Sequence, residues 1–134
     1  MKILVSVIMS VYKESVENVA KSVSSIIAQT YTNWEFIIVL DHPNNLIVRD
    51  YLVNLSKNHD NIKLIENKSN IGLGASLNKA VALAKGKYCA RMDAEDCSFI
   101  DRFEVQLSYL NHNSHVDLLF TQWKEFILME GQKR

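Results

Sequence analysis

Three acidic residues, Asp93, Glu95 and Asp96, directly follow residues 88–92, whose alternating character is typical of a β-strand. In open α/β sheets, ligands bind beyond the carboxyl ends of the strands. Carboxylate oxygens are the ligands that Mg²⁺ and Mn²⁺ prefer. Three acids this close repel one another, and a bound cation relieves that repulsion. The pattern predicts a site for a divalent metal, with a nucleotide diphosphate as the second anion.

A plainer interpretation of these acids stays open. Asp93 and Asp96 could be turn formers or helix caps, although Ser98 and Asp101 are equally well placed to cap the helix predicted around Phe103. In that case the acidic run would serve only the connection between a strand and a helix.

The composition is that of one ordinary globular domain. The chain has 134 residues, enough to bury a core, and its 15 Lys and Arg balance 15 Asp and Glu, which argues against a nucleic-acid binder. The four histidines lack zinc-ligand spacing, no disulfide is expected between Cys89 and Cys97, and Cys89 is expected to be buried in a strand. The apolar amino terminus has no cleavage site and falls short of the ~20 residues of a membrane helix, so we expect a cytoplasmic protein.

Strand and helix patterns alternate along the chain. Ser15 is a predicted N-cap with Glu17 in the first turn, and a glycine-bearing stretch, 70–74, opens a later helix that Gly86 would close. This order predicts an α/β fold: a mostly parallel, Rossmann-like sheet with helices on both faces. The predicted strands are residues 3–9, 35–40, 62–65, 88–92, 116–121 and 124–129, and the predicted helices are 15–30, one around 48–55, 73–84 and 100–110.

Polar residues follow each of the first four predicted strands. The first strand runs into residues 10–14, the second ends at Asp41, the third leads into 67–74, and the fourth ends at the acidic run. Because the carboxyl ends of parallel strands share one edge of a sheet, one ligand could meet all four groups.

Several of these residues also have structural alternatives. Tyr12 could cover the core or stack on a base. Asp41 could be a plain loop residue, and Arg91 either a solvated strand residue or a cation beside phosphate. Gly72 and Gly74 could serve only a tight turn, and they do not form a dinucleotide fingerprint because no third glycine follows and the first strand is far away.

At four places the sequence resembles the amino-terminal, nucleotide-sugar-binding half of family 2 glycosyltransferases, which have the GT-A fold. The matching stretches, in order and spacing, are residues 5–14, 25–39, 70–78 and 90–96, followed by 102–104. The resemblance implies one GT-A-type domain over residues 1–134, truncated before the carboxyl-terminal acceptor half. It also implies a nucleotide-sugar donor, most often a UDP-sugar, and a saccharide or lipid-linked acceptor in bacterial surface polysaccharide synthesis.

The resemblance further implies roles for individual residues. Asp93 and Glu95 match the acid pair that binds Mn²⁺ or Mg²⁺ in the family, with Asp96 beside them, and Asp41 matches the residue that hydrogen-bonds the base. The other implied nucleotide-binding residues are Ser10, Tyr12 and Glu14 around the nucleoside, and Asn70, Gly72 and Asn78 near the ribose and phosphates. The predicted nucleotide-binding set also includes Asp93 and, as a cation beside phosphate, Arg91.

The sequence departs from the family pattern in three respects. Leu40 stands where the first of two acids often follows the second strand, and Glu95 replaces the usual second aspartate of the metal pair. Family enzymes also run well past this length, and their later half supplies the general base, a role that we assign to no residue here, including Glu125 and Glu130. We therefore expect this chain alone to bind nucleotide and metal but to transfer sugar weakly or not at all.

Two other functions stay open at this point. A phospho-acceptor signalling domain would need an acidic pair after the first strand, where the chain has Ser10-Val11-Tyr12. A non-catalytic nucleotide-binding or interaction fragment is the second alternative. Apolar surface left where the later half would pack favours self-association, so a homodimer is expected. A lipid-linked acceptor would bring the protein to the inner face of the membrane as a peripheral enzyme.

Overall fold

The computed structural model describes residue 2 and residues 4–122. Strands and helices alternate along this part of the chain, as the sequence pattern predicts. The strands are β1 (Val5–Val11), β2 (Trp34–Leu40), β3 (Ile62–Glu66) and β4 (Tyr88–Arg91), and the helices are α1 (Val16–Ile27), α2 (Leu46–Asn58), α3 (Leu73–Leu83) and α4 (Arg102–His112).

The four strands form one parallel sheet in the order β3-β2-β1-β4. Strand β1 lies between β2 and β4, and Val5 is in register with both Trp34 and Tyr88. All carboxyl ends therefore share one edge. The strand order reverses between β3 and β4, which places the crevice favoured for ligands beyond the ends of β1 and β4.

Helices cover both faces of the sheet. The larger core packs β1 and β2 against α1, α2 and α4, with Phe36 and Phe103 among its largest buried side chains. The smaller core packs Ile8, Ile37 and Val39 against α3. Strand β2 is apolar along nearly its whole length because both of its faces are covered. The fold prediction of a parallel α/β sheet is confirmed.

Local signals fixed the start of the first helix. The Ser15 hydroxyl accepts a hydrogen bond from the Asn18 N–H at 3.2 Å, and Glu17 lies in the first turn of α1. Such a cap satisfies an amide that has no partner within the helix, and the acid favours the positive end of the helix dipole. These contacts place the amino end of α1 beside the carboxyl end of β1.

Three expectations about individual segments were wrong. Residues 116–121 are irregular and pair with none of the four strands, and Leu118 and Phe120 are largely exposed. Cys89 is exposed because β4 pairs with β1 alone among the described strands and α3 packs over β1 and β2 instead. Gly86 is not the C-cap of α3, since the helix gives way to extended backbone at Ala84.

Gly86 has a packing role instead. A Cβ atom at this position would lie 2.6 Å from the Ser6 nitrogen and 2.8 Å from the Leu4 carbonyl oxygen, closer than real Cβ contacts allow. The Gly86 N–H also donates to the Ser6 hydroxyl at 2.8 Å. The missing side chain therefore lets the chain pass against the start of β1 before it enters β4.

Two details of the helices also differ from a simple sequence pattern. Leu73 and Val81 are apolar residues of α3, yet both are about half exposed. Helix α4 begins at Arg102 rather than near residue 100, and the Asp101 side chain makes no capping hydrogen bond.

The strand expected at 124–129 lies outside the described residues. No helix in the described part of the chain is long and apolar enough to cross a membrane.

Candidate functional site

A cleft of about 260 Å³ lies at the carboxyl edge of the sheet, where β1 and β4 end. We call it the acid cleft. Among the described residues that line it, four side chains are acidic and one is basic. It is lined by Ser10 and Glu14 after β1, Leu73 at the start of α3, and Arg91, Asp93, Ala94, Glu95 and Asp96 at the end of β4. The structure thus brings six of the predicted site residues together.

The end of β4 decides which of these residues reach the cleft. The Met92 N–H donates to the Ile8 carbonyl oxygen at 3.0 Å, which extends the ladder between β1 and β4. Ala94 then turns inward and is 3% exposed, whereas Asp93, Glu95 and Asp96 are exposed. A hydrogen bond of 3.1 Å from the Asp96 N–H to the Asp93 carbonyl closes a turn around Ala94. The buried alanine therefore anchors the turn and leaves the carboxylates facing solvent.

The donor chemistry of the acid cleft suits a divalent metal. Carboxylate oxygens are hard ligands, and Mg²⁺ commonly uses one or two carboxylates and completes its shell with substrate phosphates and water. Within the described residues, no three His, Cys, Asp or Glu side chains converge to coordinate an ion by themselves. The residues present fit a metal that Asp93 and Glu95 or Asp96 would hold jointly with a diphosphate.

Polar side chains on one face of α1 hold the acidic turn. The buried Ser22 hydroxyl donates to the Asp96 carbonyl oxygen at 2.5 Å and lies 3.4 Å from that of Asp93. One turn later, the Ser25 hydroxyl accepts from the Ser98 N–H at 3.0 Å. The backbone of the turn is therefore tied to a helix more than 70 residues earlier in the chain.

Gln29, two residues beyond the end of α1, adds a third polar side chain to this set. Its side chain is 3% exposed, donates to the Phe99 carbonyl at 2.6 Å and accepts from the Phe103 N–H at 3.1 Å. The sequence analysis assigned no role to Ser22, Ser25 or Gln29. Ser22 and Ser25 lie three residues apart on an otherwise apolar face of α1, and that spacing was the signal that could have found them.

Arg102 supports the same turn from α4. Its guanidinium donates to the Arg91 carbonyl at 3.1 Å, the Ser98 hydroxyl at 3.1 Å and the Gln106 side chain at 3.2 Å. Burial lowers the pKa of Arg102, which the negative charge of Asp96 partly offsets. The arginine still carries its charge at neutral pH, because a guanidinium does not lose its proton in proteins.

Asp41, at the end of β2, is the centre of a buried hydrogen-bond network. Its Oδ1 accepts from the Asn67 side chain and the Ile71 N–H, both at 2.8 Å. Its Oδ2 accepts from the Gly72 N–H at 2.9 Å and the Asn70 side chain at 3.2 Å. Burial by itself would raise the pKa of Asp41, but the accepted hydrogen bonds outweigh it and hold the pKa below the ordinary 3.8.

The Asp41 network fixes the loop that begins α3. Gly72 has φ +93°, a conformation that side chains other than glycine adopt with strain, and its carbonyl accepts the first helical hydrogen bond from Ser76. Asn67 also donates to the Ser76 hydroxyl at 3.1 Å. Residues 67, 70 and 72 thus lie in one network with Asp41 and place the start of α3 against the acid cleft.

A second groove of about 640 Å³ lies on the other side of β1, between the starts of α1 and α2, and shares Glu14 with the acid cleft. His42 lines this groove, and the ring of Tyr12, a residue that is 37% exposed, lies 5.1 Å from the His42 ring, centroid to centroid, at 34°. The Glu14 carboxylate accepts from the Tyr12 N–H at 2.6 Å. Asn78 lies on an exposed part of α3 and lines neither cavity.

The strand order and the position of this edge site define a parallel, doubly wound type of α/β domain. The family model described as Glycosyl transferase family 2 matches residues 6–127. The chain belongs to this family.

Relatives and solved structures agree with that assignment. The chain is 43% identical to an uncharacterized glycosyltransferase of Methanocaldococcus jannaschii over 97% of its length and 44% of the relative. It is 32% identical to the UDP-Glc:alpha-D-GlcNAc-diphosphoundecaprenol beta-1,3-glucosyltransferase of Escherichia coli, over 83% of the chain and 42% of that enzyme. It thus spans less than half the length of these relatives.

Two solved structures share the fold. Staphylococcus aureus TarS in complex with UDP superposes with a TM-score of 0.71 at 20% identity, over 82% of this chain and 32% of that one. A Pyrobaculum calidifontis mannosyltransferase in complex with GDP-Man and Mn²⁺ gives a TM-score of 0.71 at 21% identity, over 79% and 32%. Both confirm the GT-A-like architecture.

Proposed function

We propose that this chain is the donor-binding part of a glycosyltransferase that binds a nucleotide-diphospho-sugar, a UDP-sugar in the first instance, together with Mn²⁺ or Mg²⁺. The sugar would pass to a saccharide or lipid-linked acceptor in surface polysaccharide synthesis. One observation carries the proposal: the ends of β1 and β4 and the start of α3 place Ser10, Arg91 and the acids in a single cleft.

The chemistry of transfer explains why such a cleft is useful. Breaking the bond between the sugar and the diphosphate leaves negative charge on the departing nucleotide. A divalent metal neutralises that charge when it is bound. In this chain, Asp93 with Glu95 or Asp96 would hold the metal, and the start of α3 would face the phosphates with its free N–H groups.

The nucleoside would lie along the end of β1 toward Tyr12, whose partly exposed ring could stack on any base. Asp41 would then contact the base only by exchanging one of the hydrogen bonds that now hold the loop before α3. Support for uridine comes from the E. coli relative, whose name specifies a UDP-glucose donor and a diphosphoundecaprenol-linked acceptor. The GDP-mannose bound by one structural neighbour makes GDP the natural competitor to test.

Isothermal titration of the protein with UDP, and separately GDP, with and without Mn²⁺ tests the proposal. We expect UDP binding that Mn²⁺ strengthens, and a loss of about 10-fold or more in the Asp93→Ala, Glu95→Ala variant. The matched control is Asp50→Ala, Asp60→Ala, which removes the same charge from exposed positions in α2 and before β3. Unchanged binding in the first variant refutes the metal assignment, and a folded protein that binds neither nucleotide refutes the donor site.

A further inference from the structure

Arg91 is the one positively charged residue among those that line the acid cleft in the described part of the chain. Its Nε–H donates to the Oδ1 of Asp93 at 3.0 Å. Both side chains are about half exposed, at 55% and 51%. The carboxylate expected to bind the metal therefore already has a cationic partner from its own chain.

We propose that Arg91 holds the Asp93 carboxylate until a metal ion binds, and that the metal then displaces its guanidinium toward the diphosphate of the donor. This inference rests on the proposed function and adds to it an order of events: the metal ion displaces Arg91, and the released Arg91 then binds nucleotide. Arg91 would be a nucleotide-binding residue only in the metal-loaded protein.

The geometry of the contact supports an exchange. The guanidinium carries five N–H donors, and the contact with Asp93 uses one nitrogen and one oxygen rather than a two-pronged pair. Exposed ion pairs of this kind contribute little to stability. A divalent ion, with twice the charge and a preference for carboxylate oxygen, can therefore replace Arg91 at small cost.

The charge of the cleft explains why a released Arg91 would move to phosphate. Glu14, Asp93, Glu95 and Asp96 give the cleft four carboxylates against one guanidinium. A diphosphate entering without metal would be repelled by these acids while Arg91, the one cation among the described residues of the cleft, is engaged with Asp93. Arg102 cannot take this role, because its guanidinium is held by the Arg91 carbonyl and the Ser98 hydroxyl.

Two titrations of the wild type and of Arg91→Gln test the exchange. In the first, the proteins are titrated with Mn²⁺ alone, and the electron paramagnetic resonance signal of free Mn²⁺ is measured. In the second, UDP is added at saturating Mn²⁺, and binding is measured by calorimetry. We expect Mn²⁺ alone to bind Arg91→Gln about 2- to 5-fold more tightly, as loss of an exposed ion pair allows. We expect UDP to bind about 5- to 20-fold more weakly, as loss of a charged hydrogen bond implies. Arg49→Gln, which removes an exposed arginine paired with Glu66, is the control for loss of charge elsewhere.

Removing Arg91 also removes a charge that repels the metal, so a direct readout on the wild type is needed. The Arg91 Nε–H resonance in a ¹⁵N spectrum, assigned by its loss in Arg91→Lys, should move when Mg²⁺ is added alone and move again when UDP follows. A resonance that stays in place at saturating Mg²⁺ overturns the exchange. Tighter Mn²⁺ binding with unchanged UDP binding overturns the transfer to phosphate.

Results that overturn the exchange or the transfer to phosphate can be distinguished from results that overturn the proposed function. In the former, the wild type still binds UDP with Mn²⁺ and loses that binding in the Asp93→Ala, Glu95→Ala variant. If the wild type binds neither ligand, the donor site itself is refuted.

Discussion

Replacing Asp41 by asparagine should destabilise the fold although the two side chains have nearly the same shape. Asp41 is 1% exposed, and each of its carboxylate oxygens accepts two hydrogen bonds from donors of the loop before α3 or of Asn67. Asparagine offers one oxygen and one NH₂ group. Two of the four contacts therefore become donor facing donor, in a place that water does not reach.

The asparagine amide can take two orientations, and the size of the effect follows from the one that loses less stability. If the NH₂ group takes the Oδ2 position, the Asn70 side chain can turn toward solvent but the Gly72 N–H loses its acceptor, which costs about 1–3 kcal/mol. The remaining bonds lose the assistance of the negative charge, for about 1 kcal/mol each. We expect the free energy of unfolding to fall by about 3–5 kcal/mol, a large part of the roughly 5–15 kcal/mol typical of a domain.

Urea unfolding followed by circular dichroism measures this loss, and its dependence on pH tests the cause. The folded-state pKa of Asp41 is lowered, so its stabilisation is fully present above the unfolded pKa and is lost as pH falls through the lower, folded pKa. The difference between wild type and Asp41→Asn should therefore be constant near neutral pH and shrink at acid pH. Exposed Asp50→Asn should change stability by less than about 0.5 kcal/mol. A loss below about 1 kcal/mol, or a difference independent of pH, would contradict the network described here.

Two further substitutions should separate support of the site from support of the fold. Ser22→Ala removes the hydroxyl that is hydrogen-bonded to the Asp96 carbonyl, and it should lower the free energy of unfolding by about 1–2 kcal/mol. It should also weaken Mn²⁺-dependent UDP binding about 3- to 10-fold. Unfolding curves measure the first effect and calorimetry the second, and unaltered UDP affinity would show that the hydroxyl does not position the acidic turn. Gly86→Ala places a Cβ atom 2.6 Å from the Ser6 nitrogen and should lower the free energy of unfolding by about 1–3 kcal/mol or more. The UDP affinity of the folded protein should stay unchanged, because Gly86 lies at the opposite edge of the sheet from the acid cleft. A variant as stable as the wild type would contradict the close approach of Gly86 to β1.

Much of the architecture was readable from local pattern. The apolar run at 35–40 and the helical spacing after Ser15 predicted β2 and α1 to within a few residues, because periodicity and capping act between near neighbours. Residues 116–121 show the limit of this reasoning. Their apolar content suggested a strand, but a strand needs a partner, and none of the four strands pairs with them.

The site was predictable in outline for a topological reason. Repeated strand-then-helix order implies parallel strands, and parallel strands bring their carboxyl ends to one edge. That was enough to predict that Ser10, Glu14 and the acids after β4 would meet, as they do in the acid cleft. The metal and nucleotide roles of these residues stay predictions.

The amino-acid sequence by itself determined the order of elements, the family and the acids at the end of β4, because each of these depends on residue type and short spacing. Only the tertiary structure decided that Asp41 anchors the loop before α3, that Ser22 holds the acidic turn and that Arg91 pairs with Asp93. The first two contacts join residues 31 and 74 positions apart. The third joins near neighbours whose side chains meet only because β4 ends where it does, and that end is set by its ladder with β1.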